Sequence, residues 1–130
     1  MEKFYVHTVG AVPASKLTEA ISLAQGLADE SKAAGAQRAS YGTLMTGNNA
    51  GSIVFQQFFN SLDDFANVME AFGTSATYAK VIGTGLKVTM RNVAKFCDVP
   101  FTSPENPQRK FVVLTRGKAT VSQQEIIDLM

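Results

Sequence analysis

Residues 42–72, GTLMTGNNAGSIVFQQFFNSLDDFANVMEAF, decide the fold. Inside them, residues 52–59 read as the strongest strand in the chain. Ile53, Phe55, Gln57 and Phe59 point one way, and Val54, Gln56 and Phe58 the other. Both sides are largely apolar, so both are expected to be covered. The preceding GNNAG, residues 47–51, joins apolar runs through residues that tolerate positive φ, and reads as a hairpin loop. Ser61 follows the strand as a helix N-cap, with Asp63 and Asp64 complementing the dipole in the first turn. Leu62, Phe65, Met69 and Phe72 form that helix's expected buried stripe, and Gly73 breaks it.

Working outward, residues 4–9 alternate as a strand, with Phe4, Val6 and Thr8 on one side and Tyr5, His7 and Val9 on the other. Ser15 is the expected N-cap of a helix that runs to about Ala34 and stops at Gly35. Its stripe is Ala20, Ile21, Ala24, Leu27 and Ala28. Residues 38–46 form a second, less patterned strand. After Gly73 come a short helix over residues 75–82 and a fourth strand over 89–97. Pro100, Pro104 and Pro107 then mark a linker. Beyond it, residues 111–116 read as a strand, and Ser122 with Glu125 as a capping box opening a last helix.

The order β-α-β-β-α-β is the split βαβ, or ferredoxin-like, arrangement. It predicts an α+β fold with one antiparallel sheet of order 4-1-3-2 and both helices on one face. The expected organisation is a domain over residues 1–98, a proline-rich linker over 99–110, and a strand-helix arm over 111–130 that adds a C-terminal β-α extension. KFVVLTRG at 110–117 echoes KFYVHTVG at 3–10. Two readings follow: the start of a second ferredoxin-like unit, or an appended arm that docks as an added strand on a sheet edge.

The strand, Gly-flanked loop, apolar strand and Ser-Leu-Asp-Asp-Phe helix start of residues 42–72 resemble the dimeric α+β barrel superfamily, in particular its NIPSNAP-like and antibiotic-biosynthesis-monooxygenase-like members. The resemblance implies a homodimer whose subunits join sheet to sheet. It also implies a pocket between each sheet and its own helices. Members range from cofactor-free oxygenases and lactone isomerases to haem-degrading enzymes and ligand-sensing modules. Haem-degrading members carry an iron-ligating His on or near the second helix, and residues 62–82 hold none.

His7, the one histidine, is the candidate general base, with a satisfied core or interface histidine as the plain alternative. Tyr78, with Arg38, Tyr41 and Asn92, is a candidate to hold a phenolate or carboxylate, while Phe55 and Met69 are candidates to line an apolar pocket. The same aromatic spacings also describe core packing. Cys97, the one cysteine, excludes an internal disulfide and is more readily an inert thiol than a nucleophile. No Cys/His cluster points to a metal, and no cofactor is expected.

At 130 residues and 45% hydrophobic, the chain suffices for one domain with a real core. The net charge of +1, with basic residues dispersed, argues against a nucleic-acid partner. Met1 leads within three residues into strand-like sequence, and no apolar run approaches the roughly 20 residues that span a membrane. The expected setting is cytoplasmic. Two functions follow: a homodimeric protein that binds a small apolar or aromatic molecule without catalysis, or a cofactor-independent monooxygenase or isomerase acting on an aromatic or cyclic substrate.

Overall fold

A computed structural model describes residues 2–97 and 110–129. The chain divides into two compact units, Met1–Phe96 and Cys97–Met130. The first carries strands β1 (Phe4–Ala11), β2 (Arg38–Thr43), β3 (Ile53–Phe59) and β4 (Lys87–Lys95), with helices α1 (Leu17–Ala34), α2 (Leu62–Gly73) and α3 (Ala76–Gly83). The sheet order is β2-β3-β1-β4, all pairs antiparallel, which is the predicted 4-1-3-2 order read from the other edge.

Local chemistry explains most boundaries. Ser61 Oγ accepts from Asp64 N at 3.2 Å and Ser75 Oγ from Tyr78 N at 3.0 Å, so both helices after β3 begin at a serine cap. The β2–β3 turn closes through Gly51 N to Leu44 O at 2.8 Å and Leu44 N to Ser52 O at 2.9 Å. The expected Ser15 cap is not made. Ser15 lies inside a 3₁₀ turn, Ala14–Lys16, closed by Lys16 N donating to Pro13 O at 2.8 Å. Lys16 therefore precedes α1, without a side-chain cap.

The core gathers Val6, Phe59 and Val68, each 0% exposed, with Leu27, Phe72 and Val81. Phe65 packs its ring edge against Phe59, at 5.6 Å and 70°. The α2 stripe differs from the expected one at one end. Leu62 is 51% exposed, while Val68, absent from the expected set, is fully buried. The stripe runs through Phe65, Val68 and Phe72, and leaves Leu62 beyond its N-terminal end.

Directly opposed residues of a sheet share a face. Ser40 pairs with Gln56, Gln56 with His7, and His7 with Asn92, so these four form one polar row across all strands. Tyr5, opposite Phe58, lies on the same face. Thr8, Phe55 and Tyr41 share the opposite face, where α1 packs. On the polar-row face His7 is 6% and Val9 0% exposed, while Tyr5, Val54, Gln56 and Phe58 are half-buried.

In the second unit, Ser122 N donates to Glu125 Oε2 and Glu125 N to Ser122 Oγ, the reciprocal capping box expected at the start of α4 (Gln123–Leu129). The expected strand at 111–116 is not formed; residues 110–119 carry no regular secondary structure. A strand is stabilised by its ladder, which strand-like composition alone does not supply. The three prolines of the expected linker lie outside the described residues.

Candidate functional site

Between the sheet and its helices lies an apolar cavity of about 60 Å³. Helices α1 and α3 and strands β1, β3 and β4 make its walls, with Phe72 of α2. From α1, Ala20, Ala24 and Leu27 present small and branched side chains; from β3 come Ile53, Phe55 and Gln57; from α3 come Tyr78, Val81 and Ile82. Leu86 lies against Gly10 of β1, where an added Cβ would sit 2.9 Å from its methyls, so a side chain there would force Leu86 to shift. The strand register also shifts between Val9 and Gly10, a bulge beside the cavity. Ile82 and Val88, 42% and 43% exposed, mark the mouth together with exposed Arg91.

Three polar groups meet this cavity besides Tyr78. Arg91 Nε donates to Thr8 Oγ1 at 3.1 Å. Gln57, 3% exposed, donates from Nε2 to Ser31 Oγ at 3.0 Å, and Ser31 Oγ donates to Leu27 O at 2.8 Å. The Tyr78 ring stacks on Phe72 at 5.2 Å and 16°.

The sheet separates the sequence-predicted site residues into two sets. Phe55 and Tyr78 line the cavity. Tyr41 is on the same side of the sheet, but its hydroxyl donates to Gln25 Oε1 at 3.2 Å on α1, and Met69 packs against the core; neither lines the cavity. His7, Arg38 and Asn92 share the opposite face, so Tyr78 does not join Arg38 and Asn92 around one ligand. Alternation explains it: His7 and Thr8 are consecutive on β1 and must point apart. Sequence reasoning missed Gln57 as a site residue. The available signal was a carboxamide on the inward side of an otherwise apolar strand, since a buried polar residue is the informative exception.

The second set has its own geometry. Gln56 Nε2 donates to the Tyr5 hydroxyl at 2.8 Å, and that hydroxyl lies 2.7 Å from His7 Nδ1. Ser40 Oγ donates to Gln56 Oε1 at 3.2 Å, which extends the chain to β2. Arg38 grips Glu2 in a fork, Nε to Oε1 at 2.7 Å and Nη2 to Oε2 at 3.0 Å, with its guanidinium 4.0 Å above the Phe58 ring. Cys97 is exposed and lies past the end of β4, whereas His7 pairs with Asn92 inside that strand. Among the described residues no three His, Cys, Asp or Glu side chains converge as metal ligands. No described helix is long and apolar enough to cross a membrane.

Residues 2–96, the whole four-stranded unit, match the family described as Domain of unknown function (DUF6854). The chain belongs to this family. No curated protein is a significant match to this DUF6854 member. Solved structures share its fold at low identity. A dimeric ferredoxin-like protein from an uncultured marine organism is 16% identical with a TM-score of 0.56, over 74% of this chain and 96% of that one. A NIPSNAP family protein from Agrobacterium tumefaciens is 16% identical with a TM-score of 0.55, over 82% and 99%. An antibiotic-biosynthesis-monooxygenase-like protein from Nitrosomonas europaea is 17% identical with a TM-score of 0.51, over 79% and 97%. The DUF6854 unit is thus an α+β ferredoxin-like fold, similar to NIPSNAP proteins.

Proposed function

We propose that this chain is a homodimeric small-molecule-binding module whose ligand enters the cavity between the sheet and its helices. The observation that carries the reading is the character of the cavity wall. It is apolar on three sides with a few placed polar groups, the usual make-up of a ligand site. Its lining includes no His, Cys, Asp, Glu or Lys. General acid–base chemistry needs a titrating group within hydrogen-bond reach of the substrate; an arginine does not deprotonate, which leaves the Tyr78 phenol alone on this wall, without a second acid or base to work with. Binding without turnover is what this wall supports best.

Self-association has separate support. A similar fold is described as a dimeric ferredoxin-like protein. In this chain, Tyr5, Phe58 and Phe96 cluster on the polar-row face, with Phe96 46% exposed. A second subunit laid on that face would bury these rings.

The test is ligand-observed and protein-observed NMR with a panel of small apolar molecules (toluene, phenol, indole, cyclohexane), on wild type and Ala24→Leu. Ala24 is 4% exposed on the cavity wall, so a leucine there fills the space. At least one probe should shift Ala24, Phe55 and Tyr78 signals in wild type, and lose most of its affinity in a folded Ala24→Leu. No shift at these residues for any probe overturns the reading.

A cofactor-independent monooxygenase or isomerase is the second reading. It is favoured by the Tyr5–His7 hydrogen bond, which places a base and a phenol side by side, and by the monooxygenase-like neighbour. It requires chemistry on the sheet face opposite the cavity. If His7→Gln abolishes a turnover found in a substrate screen, this reading replaces the first.

A further inference from the structure

We propose that the cavity selects an apolar molecule carrying a hydrogen-bond donor, a hydroxyl or N–H group, and that Gln57 is the residue that reads it. The inference rests on the binding reading above and names the ligand class for the same cavity.

The argument begins at Ser31. Its side chain is 0% exposed, and its single hydroxyl proton is given to Leu27 O at 2.8 Å. Toward Gln57 it can therefore only accept. The 3.0 Å contact between Ser31 Oγ and the Gln57 amide must then be made by the amide nitrogen. The usual ambiguity between the two ends of a carboxamide is removed by the chemistry of its neighbour. Gln57 Oε1 is consequently turned away from Ser31.

No described residue donates a hydrogen bond to that oxygen. It is not sealed off either, since Asn60 Oδ1 is the one buried, unpaired side-chain atom among the described residues. Gln57 is 3% exposed and lines the cavity, so the space its oxygen meets is the cavity. The result is an anchored acceptor inside an apolar wall. Of the other acceptors on the lining, Thr8 already receives Arg91 Nε toward the mouth, and the Tyr78 hydroxyl is itself a donor as well as an acceptor.

A ligand without a donor would displace water from Gln57 Oε1 and offer nothing in return. A donor-bearing ligand of the same shape would replace the lost bond. Leaving a buried acceptor unsatisfied is worth roughly 10- to 100-fold in affinity. The cavity of about 60 Å³ is smaller than the roughly 150 Å³ site that holds a free benzene. A ring therefore sits with its polar substituent inward and its far edge in the open mouth beside Ile82, Val88 and Arg91.

Phenol and toluene form the matched pair, nearly equal in shape and differing in the donor. Their affinities are measured by NMR titration on wild type, Gln57→Leu and Ser31→Ala. Wild type should bind phenol at least tenfold tighter than toluene. Gln57→Leu should bring the two within about threefold, with toluene binding as well as before or better. If Gln57→Leu fails to fold, Ser31→Ala still decides. It frees the amide to rotate and present its nitrogen, so the phenol preference should shrink and benzonitrile, an acceptor probe, should gain affinity.

Equal binding of phenol and toluene by wild type overturns the selection by Gln57 while leaving the cavity reading intact. A preference that survives in both variants does the same. Failure of both probes to bind folded wild type overturns the cavity reading and this inference together.

Discussion

The Tyr5 hydroxyl lies 2.7 Å from His7 Nδ1 and at the same time accepts from Gln56 Nε2 at 2.8 Å. Ser40 Oγ donates to Gln56 Oε1 at 3.2 Å, with the nitrogen end of that amide toward Tyr5. With Gln56 donating to the hydroxyl, that hydroxyl keeps its own proton to give, and His7 Nδ1 is an acceptor within its reach. In this polarity Nδ1 is the acceptor, and neutral His7 carries its proton on Nε2. ¹⁵N NMR of the imidazole should find Nδ1 unprotonated in the neutral ring; a protonated Nδ1 contradicts the chain. Tyr5→Phe removes both hydrogen bonds and should cost about 1–3 kcal/mol of stability, measured by denaturant unfolding.

Gly35 closes α1 at φ 139°, and an added Cβ there would come within 3.3 Å of Asp64 Cβ on α2. The left-handed backbone strains any side chain, and a Cβ there would press on the neighbouring helix. Gly35→Ala should therefore destabilise by about 1–3 kcal/mol. Gly73, the last residue of α2, has ordinary negative φ and no atom within 4 Å of an added Cβ. Gly73→Ala should be neutral or stabilising by up to about 1 kcal/mol, through the unfolded chain. Equal effects in paired thermal melts would refute the assignment of Gly35 as the conformationally obligate glycine.

Elements that depend on local pattern were legible in the sequence. The strand at residues 53–59, its Ser61 cap and the glycine stop at Gly35 follow from alternation, capping chemistry and positive φ. The sheet order followed because right-handed crossovers leave few alternatives. What was not legible was which strand face each candidate meets. Alternation says that His7 and Thr8 point apart, but only the packed helices decide which of them faces a cavity. Gln57 was hidden for the same reason, because its role depends on Ser31, 26 positions away and one helix removed. The strand expected at 111–116 has good strand composition, yet composition does not supply an edge to pair with.

The α2 stripe offers a direct test of packing. Phe59 is 0% exposed and touches Phe65, while Leu62 is 51% exposed. Phe59→Ala removes a fully buried ring and should cost about 3–5 kcal/mol. Leu62→Ala should change stability by less than about 0.5 kcal/mol, as surface substitutions do. For a unit near 100 residues, each kcal/mol moves the melting temperature by about 4–8 °C, so the two variants separate clearly. A large loss in Leu62→Ala would restore the stripe expected from sequence.

Phe96 tests the proposed homodimer with little disturbance of the single subunit. Its ring stacks on Phe58 at 6.1 Å and 8°, and it keeps 46% of its surface exposed. A carboxylate placed there stays solvated in the monomer, so Phe96→Glu should leave monomer stability within about 1 kcal/mol of wild type. In a sheet-to-sheet dimer the same carboxylate would be pressed against Tyr5, Phe58 and the partner's apolar surface. Burying it unpaired is unfavourable, and the dimer should dissociate at concentrations at least tenfold higher than wild type. Sedimentation velocity over a concentration series reads the dimer affinity, and denaturant unfolding reads the monomer stability. A wild-type chain that sediments as a monomer throughout, or a Phe96→Glu dimer of unchanged affinity, sinks association through this face.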